Sequence, residues 1–387
     1  MKKVIIYVLL VAIAGLTSMC SGNSGQGPGE EKKDRAKGKP PQQKGNVIKF
    51  KQYSCIDRQG TGGEAFSFLM PVDWVFDGGI IWFLDNPAMP ATAAMKLTNP
   101  RGSEQFELFP NQAFWYTTNQ QMLYIKPVGS RYFGCEVRPQ MNAMQALHRV
   151  VLPRFRSDAG NLRVISEQEV PELAQIIKKT QQPQAGLRAD ANAGKVRVEY
   201  TMNGKPMEEE IYAAVESYTY PIQSWSGVVY NTNWTVDYIF SFKAEKGKLD
   251  EAAKIFQTII YSFRVNPNWY NKYTQLVNYL IQRQIQQIHS IGELSRMLAQ
   301  TSDQIREDNM RQYYEREAIH DKISENFSDY IRGVDRYYDP NVGHQVELPT
   351  GYDNAWSNPL GEYIISDDPN YNPNIGSNLH WEQLERK

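Results

Sequence analysis

Hydrophobic positions divide the chain into regions with different periods. From residue 47 to about 265, short apolar runs alternate with turns rich in Gly, Pro and Asn, which is typical of β-strands. The clearest pattern runs from 196 to 202, where apolar and polar residues alternate up to Asn203-Gly204. That pair favours a type I′ turn because both central residues need positive φ. The pattern therefore predicts a β-hairpin whose return strand contains Ile211, Ala213 and Val215. Further strands are predicted over 122–125, 225–230 and 234–243.

Three segments of the same region have helical features. Residues 142–152 have apolar positions on one face, and Asn142 with Gln145 forms a capping pattern, while Pro153 is expected to end the helix. Residues 166–169 read as a second capping box before a helix over 173–177. Apolar residues at helical spacing predict a third helix over 249–263. We therefore predict that 47–265 forms one α+β domain with an antiparallel sheet packed against helices.

The following region, 266–333, has a helical period throughout. Asn266 can cap a helix that begins at Pro267. An unbroken helix would be about 100 Å long, so we predict a helical hairpin with a break near 290–292 or 301–303. One long helix is the alternative, and a coiled-coil dimer would explain such a helix.

The last region, 334–387, is a turn-rich C-terminal segment. Asp, Asn, Pro and Gly are frequent, and short strands are predicted at 346–348 and 362–365. The segment looks too short to bury all its aromatic rings. We therefore expect four of them to contact a partner or to dock on the main domain, namely Trp356, Tyr363, Tyr371 and Trp381.

The N-terminus reads as an export signal. Lys2 and Lys3 precede an apolar run over 4–16, which is shorter than the roughly 20 residues of a spanning helix. Cys20 follows at the start of a small and polar tract. This arrangement resembles a lipobox, the signal in which the cysteine is acylated and becomes the mature N-terminus. The sequence thus predicts a lipoprotein signal peptide over 1–20, and a plain secretory signal is the alternative.

Residues 21–46 contain almost nothing to bury and are predicted to form a disordered tether. The chain carries a formal net charge of −1, to which the signal contributes +2 and the tether +3, so the body from Val47 carries −6. Such a body lacks the basic footprint of a nucleic-acid-binding protein. The expected contact with a membrane is therefore the N-terminal lipid.

Two cysteines follow Cys20, namely Cys55 and Cys135. Outside the cytosol they could form a disulfide that closes a loop of about 80 residues. Two cysteines in a body of this size are equally consistent with buried free thiols. The sequence leaves both alternatives open.

Two aromatic segments carry a resemblance to a known family. Phe66-Ser67-Phe68, with Pro71 and Trp74, resembles the opening of PsbP-like domains, and the segment 256–264 is similar to the last helix of that fold. The resemblance implies an antiparallel sheet between helices and a binding or assembly role without shared catalytic residues. The tail also resembles a terminal segment that recurs in uncharacterised secreted bacterial proteins, for which no activity is known.

The search for catalytic patterns yields only one weak alternative. Zinc-protease, serine-hydrolase and penicillin-binding signatures do not occur in the sequence, and neither a metal nor another cofactor is expected. The acidic run 208–210 is expected to be a solvated strand edge. A secreted hydrolase built on Asp73, Asp77 and Glu136 stays open, provided that two of these carboxylates lie about 5–9.5 Å apart in one cleft.

These observations lead to one main hypothesis. The chain is expected to be a lipid-anchored, non-catalytic binding or assembly protein of the cell envelope, with a protein or glycan partner. The hydrolase is the second hypothesis. A spacer, in which the helical region holds the domain away from the membrane, is the third.

Overall fold

The computed structural model describes residues 47–83, 86, 89–181, 186–224, 227–282 and 334–387. Strands account for 51% of this structure and helices for 18%. The predicted α+β class is therefore wrong, because most of the body consists of three β-sheets and the helices that pack on them are short. The predicted break in the helical region, the signal peptide and the tether lie outside the described residues.

Sheet A combines strands from both ends of the described chain. Its members, numbered along the chain, are β1 (Val47–Ile56), β2 (Glu64–Pro71), β13 (Arg264–Val265), β16 (Asn354–Ser357), β17 (Glu362–Ser366) and β18 (Glu382–Gln383). Their order is β13-β2-β1-β17-β16-β18. The C-terminal segment is thus not a separate β unit, since β17 pairs directly with β1 in antiparallel register.

Sheet B is built around three long strands. Its members are β3 (Val75–Trp82), β4 (Ala91–Thr98), β5 (Gln105–Leu108), β6 (Gln112–Thr117), β7 (Arg131–Tyr132), β8 (Cys135–Val137), β9 (Gly160–Glu169), β10 (Arg188–Met202), β11 (Lys205–Ser224) and β12 (Gly227–Glu245). The main path is β3-β4-β5-β12-β11-β10-β9, and β6 joins β12 to the small β7–β8 pair. Sheet C contains β14 (Val334–Asp339), β15 (His344–Pro349) and β19 (Glu385–Arg386), with β14 in the centre.

The helices are α1 (Gln120–Ile125), α2 (Ala143–Ala146), α3 (Leu152–Phe155), α4 (Pro171–Thr180), α5 (Leu249–Tyr261) and α6 (Pro267–Gln282), with a π-helical turn (Leu147–Val151) between α2 and α3. Two predicted starts are confirmed. Asn142 and Gln145 form a complete capping box at α2, and the side chain of Asn266 accepts hydrogen bonds at the start of α6. The helix after Asn142 continues past Pro153 to Phe155, because proline is tolerated in the first turn of α3.

Several local expectations need correction. The capping box predicted over 166–169 lies within β9, and α4 begins at Pro171 without a side-chain cap. The segment 122–125, which was expected to be a strand, belongs to α1. The two strands predicted on either side of 231–233 are one continuous strand, β12. In each case, pairing with a neighbouring strand or packing on the core determined the secondary structure, and the local sequence pattern did not.

The predicted turn at Asn203-Gly204 is confirmed. Asn203 has a φ of 52° and Gly204 a φ of 77°, and Met202 pairs with Lys205 across the turn. The tail strands predicted at 346–348 and 362–365 are also confirmed, as parts of β15 and β17.

The strands β11 and β12 are buried on both faces. On β11, Tyr212 and Ala214 belong to the core cluster between sheets A and B, whereas Ile211, Ala213 and Val215 belong to a second cluster under α2 and α3. Side chains alternate between the faces of a strand, so β11 separates two cores. This two-sided burial explains the apolar run of β11 over 211–215.

A bulge at Tyr238 exchanges the two faces of β12. Before it, Trp234 and Val236 face the second cluster, and after it Phe240 and Phe242 face the first. The register changes between Tyr212 and Ala214, so that Tyr238 and Ile239 of β12 oppose the single residue Ala213 of β11. Tyr238 has a φ of 51°, as expected where an extra residue is inserted into a strand.

The two cysteines occupy different clusters as free thiols. Cys55 lies in the core between sheets A and B, and Cys135 lies in a small cluster with Trp115 and Val137. The structure therefore does not contain the disulfide that the sequence left open. Burial raises the pKa of each thiol to about 11, so both are protonated at neutral pH.

Two further features concern the sequence resemblance and the membrane. The segments that carry the PsbP-like resemblance lie side by side, with the rings of Phe66 and Phe263 at 5.0 Å between centroids. Among the described residues, no helix has the length and apolar character needed to cross a membrane.

Candidate functional site

A cleft of about 690 Å³ lies between sheet A, the end of α5 and sheet C. Its volume is in the range of small-molecule sites in proteins. The walls contain both polar and apolar groups. Sheet A contributes Gln52, Ser67, Phe68, Leu69 and Tyr363; the end of α5 and β13 contribute Tyr261, Ser262 and Arg264; β14 and β15 contribute Arg336, His344, Gln345, Val346 and Glu347.

Arg264 is the central cation of this cleft. Its Nη1 donates to the carbonyl oxygens of Tyr261 at 2.6 Å and Phe263 at 3.0 Å. The last carbonyls of a helix lack intrahelical partners, and a cation there is favoured by the helix dipole. The end of α5 therefore holds the guanidinium in place.

The remaining donors of Arg264 are uncommitted within the described chain. Of the residues that the structure describes, none accepts a hydrogen bond from its Nε or Nη2, and no carboxylate pairs with it. An Arg fork with two adjacent free N–H groups matches the geometry of a carboxylate or a phosphate. This arrangement gives the cleft a preformed donor group.

The opposite wall has a balanced ion pair. Arg336 Nε lies 3.6 Å from Glu347 Oε1, and both side chains are mostly buried. Burial, together with the charge of Glu347, raises the pKa of Tyr261, so its hydroxyl stays neutral. Arg264, together with the Arg336–Glu347 pair, gives the cleft a net charge of +1 from these three residues.

Ser262 ties two walls of the cleft together. Its Oγ donates to the Thr258 carbonyl at 2.6 Å and accepts from the Leu69 backbone N–H at 2.8 Å. The bond from Leu69 gives a partner to a backbone N–H of β2 that lies just beyond the two residues, Phe66 and Ser67, that pair with β13. It thereby fixes the distance between α5 and sheet A.

The carboxylates nominated for a hydrolase do not share a cleft. Asp73 is exposed and pairs with Arg101 at 3.0 Å, and Asp77 is an exposed residue of β3 opposite Lys96. Glu136 is held by Arg138 at 2.6 Å and by Arg154, at the edge of a second cleft of about 370 Å³. Neither aspartate lines either cleft.

The aromatic residues of the tail are packed rather than available for contact. Trp356, Tyr363 and Trp381 are buried, and only Tyr371 is partly exposed, with its ring against Trp356. Trp356 and Trp381 form a cluster with Ile364, and Lys49 lies over the Trp381 ring at 5.1 Å. Three of these rings are therefore docked on the main body, which was one of the two expected alternatives. Tyr363 packs in a cluster with Phe50 of β1, and the two tryptophans pack with Ile364 of β17.

Sequence reasoning missed a group of buried carboxylates. The acidic run 208–210 lies on the central strand β11 instead of on a solvated edge, and Glu209 is completely buried. Arg156 Nε donates to Glu209 at 2.7 Å, and Tyr200 donates to it at 2.7 Å. The sequence did contain a signal for this arrangement. Lys195 and Arg197 alternate along β10, which pairs with β11, and each forms an ion pair with a carboxylate of the acidic run.

Asp57 is a second buried carboxylate, and it accepts from neutral donors only. The indole N–H groups of Trp82 and Trp269 donate to it at 3.0 and 2.8 Å, and the backbone N–H groups of Gly60 and Thr61 at 2.9 and 3.0 Å. These bonds connect β1, β3 and α6. Because all four donors serve the fold, we assign this cluster a structural role.

Comparisons with known proteins add no assignment. No protein-family model matches the chain, and no curated protein matches it. Within the described ranges, no group of three or more His, Cys, Asp or Glu side chains is arranged to hold a metal ion. Cys20 lies outside the described residues.

Proposed function

We propose that this protein is a lipid-anchored binding protein of the cell envelope, and that it holds an anionic ligand in the cleft between sheets A and C. The carrying observation is Arg264, which lines the cleft and whose guanidinium is held by the carbonyl oxygens of Tyr261, the last residue of α5, and of Phe263. The N-terminal basic pair, apolar run and Cys20 support the anchor.

The chemistry of the cleft favours a carboxylate or phosphate group. The planar Arg264 fork can give two parallel hydrogen bonds to such a group, which adds both geometry and charge to recognition. Leu69 and Val346 also line the cleft, but both side chains are almost completely buried.

Catalysis has less support than binding. The hydrolase hypothesis required two of Asp73, Asp77 and Glu136 in one cleft, and these residues lie on separate elements with partners of their own. Binding is therefore the function we propose.

Anion binding can be tested by the thermal melting of the chain with succinate or inorganic phosphate as probes. A ligand that binds only the native state stabilises it by about 2.7 kcal/mol at a concentration of 100 Kd. We expect Tm to rise with the probe concentration in the wild type, and Arg264→Gln to abolish the rise. Arg101→Gln, at an exposed ion pair, is the matched control and should keep it.

An equal rise in Tm for wild type and Arg264→Gln would contradict the proposed site. Since Gln removes the bonds to the end of α5, the melting temperature without probe serves as the check on folding. Loss of the cap should lower stability by about 1 kcal/mol, which leaves a cooperative transition to measure.

The lipid anchor has a separate test. Cells that express the full chain are grown with radioactive palmitate, and we expect the label in the wild type and none in Cys20→Ser. Cys55→Ser is the matched control, since that thiol is buried in the core, and it should keep the label. An unlabelled wild-type chain would remove the anchor from the proposal.

A further inference from the structure

One end of the molecule is formed by two chain segments without acidic residues. No Asp or Glu occurs between Glu107 and Glu136, a stretch that contains Lys126 and Arg131. No charged residue at all occurs between Glu216 and Asp237, which covers the distal part of the β11–β12 hairpin. The body carries −6 overall, so this end differs in charge from the rest.

The two segments adjoin each other in the fold. Strand β6 pairs with β12, with Thr117 opposite Asn231. Beyond that pair, Thr118 N donates to the Tyr230 carbonyl at 2.9 Å, and Tyr230 N donates to Thr118 Oγ1 at 2.9 Å. Asn119 then caps α1 directly. The hairpin and α1 therefore form one continuous surface.

This surface exposes large apolar side chains. Tyr124 is 90% exposed, Ile125 66% and Phe133 57%, although Met122 and Leu123 of the same helix pack on the Trp115–Cys135 cluster. Val128, Val228, Tyr230 and Ile222 are also exposed. We call these residues, together with Lys126, the distal surface.

The distal surface is apolar on both sides of the hairpin. In antiparallel register Ile222 lies opposite Val229, so its side chain is on the face opposite to that of Val228 and Tyr230. A flat protein partner would cover one face. A medium that surrounds the hairpin would cover both.

The exposed ring of Phe133 belongs to a turn with an uncommon backbone conformation. Phe133 has a φ of 48°, a conformation that bulky side chains rarely adopt and that the surrounding structure has to maintain. The adjacent Tyr132 ring packs on Trp115 at 4.3 Å, which holds the β7–β8 turn. The β7–β8 turn therefore holds the exposed ring of Phe133 next to a side chain, Tyr132, that is packed on the core.

We propose that the distal surface docks into the interface of a lipid bilayer with anionic head groups. Aromatic and apolar side chains beside Lys are the composition found where protein enters the head-group region. The absence of acidic residues from both segments removes the repulsion that anionic lipids would otherwise exert.

The inference rests on the proposed lipid anchor, because acylation of Cys20 would keep the body close to a membrane. As a random coil, the 26 residues of the proposed tether would span about 25–30 Å root-mean-square. The body would therefore meet the membrane surface continually, and even weak docking would orient the cleft relative to it.

Flotation with vesicles tests the docking without the anchor. The chain 21–387 lacks Cys20 and keeps every described strand and helix. We expect it to float with vesicles of phosphatidylglycerol and phosphatidylcholine. The double variant Tyr124→Ser/Ile125→Ser should bind at least about tenfold more weakly, since each side chain contributes apolar area to insertion.

Matched variants separate docking from general loss of surface hydrophobicity. Leu360→Ser/Ile375→Ser changes two equally exposed apolar residues of the tail and should leave vesicle binding unchanged. Lys126→Gln should weaken binding about fivefold on anionic vesicles and have no effect on phosphatidylcholine alone. A thermal melt of each variant confirms folding.

Several results would overturn the proposal. Wild-type 21–387 that stays with the soluble fraction, or equal losses in the two double variants, would exclude a lipid-docking surface. A dimer in sedimentation analysis that Tyr124→Ser/Ile125→Ser converts to a monomer would assign the surface to a second copy of the chain. Each of these outcomes leaves the labelling of Cys20 unaffected, so the anchor is judged independently.

Discussion

At the scale of single residues, the acidic run 208–210 shows that charged side chains can be buried when each has a partner of opposite charge. Glu208, Glu209 and Glu210 look like a solvated run in sequence, yet all three form ion pairs with residues of neighbouring elements, through Arg197, Arg156 and Lys195. A buried carboxylate needs such partners because desolvation of an unpaired charge costs several kcal/mol. Arg156 in turn is stacked over Phe109 at 4.9 Å. The acidic run is therefore part of the ion-paired interior of sheet B and not a solvent-exposed strand edge.

Asp237 is the buried acid with the least compensation. Its Oδ2 accepts from Thr235 at 3.1 Å, while its Oδ1 has no hydrogen-bond partner. Burial, and then the nearby carboxylate of Glu216, raise the pKa of Asp237 well above its usual range. The native state therefore retains a proton that the unfolded chain releases above about pH 4.

This difference predicts how stability depends on pH. Because the native state binds more protons than the unfolded state, Asp237 makes the unfolding free energy fall as pH rises above about 4, by up to about 1.4 kcal/mol per pH unit until the native pKa is reached. Asp237→Asn should remove this term, so the variant should be more stable than wild type at pH 7 and similar to it near pH 4. Urea unfolding at pH 4, 5.5 and 7 measures the effect.

The control for Asp237 is Asp73→Asn, at an exposed ion pair. Its unfolding free energy should differ from that of the wild type by less than about 0.5 kcal/mol at each pH. Parallel pH profiles for wild type and Asp237→Asn would show that the carboxyl is ionised in the native state and would contradict the expectation.

At the scale of elements, the long hairpins depend on a few turn residues. Gly204 has a φ of 77° and nothing within 4 Å of the position that a Cβ would occupy. Space is therefore available there, but the left-handed conformation costs a residue with a Cβ about 1–2 kcal/mol. We expect Gly204→Ala to lower the unfolding free energy by about that amount, as measured by urea denaturation.

Gly160→Ala is the matched control for that variant. Gly160 begins β9 without positive φ, and a Cβ there would meet the Thr201 carbonyl at an ordinary 3.5 Å. Its unfolding free energy should change little. An equal loss in both variants would mean that the turn conformation is not the cause.

The bulge at Tyr238 is the element that sequence periodicity could not reveal. Alternation along 234–242 suggests one strand with a constant face, whereas the inserted residue moves the later side chains to the opposite core. Local propensity gives no sign of this exchange, because both cores accept aromatic and β-branched residues. Only the pairing of β12 with β11 places the extra residue.

At the scale of the whole molecule, the two ends of the chain meet in sheet A. Phe50 of β1 pairs with Tyr363 of β17, and both belong to a cluster that also contains Leu69 and Ile365. Removal of 334–387 would expose this cluster and leave β1 without one of its two neighbours. We expect the chain 21–333 to bind a hydrophobic dye strongly and to lose its cooperative thermal transition.

Two point variants make the truncation experiment more specific. Ile365→Ala, at a completely buried position, should cost about 2–5 kcal/mol. Ile375→Ser, at a position that is 78% exposed, should leave the melting temperature unchanged. A cooperative transition of wild-type Tm in 21–333 would show that the tail is an independent unit after all.

The local structure of this chain was predictable to a large extent, and the architecture was not. The turn at Asn203-Gly204, the cap at Asn142, the helix over 249–261 and the strand of 362–366 follow from residues within a few positions of each other. The fold class was wrong because the sequence shows only short stretches of alternation, whereas the strands reach 20 residues and include parts that are buried on both faces, where alternation is absent.

The candidate site illustrates the same division. In the sequence, Arg264 is only the last residue of a segment that resembles a helix of the PsbP-like fold, and no pattern marks it as a binding residue. Asp73, Asp77 and Glu136 were considered because carboxylates can be catalytic, but none of them lines the cleft that contains Arg264.

By itself, the sequence determined the short-range elements, since caps, turns and amphipathic faces depend on neighbouring residues. It also supplied the N-terminal pattern behind the proposed anchor. The tertiary structure alone decided which acids are buried, which aromatic rings are covered and which cation lines a cleft. Those outcomes depend on contacts such as that between Phe50 and Tyr363, which join residues hundreds of positions apart and have no local signature.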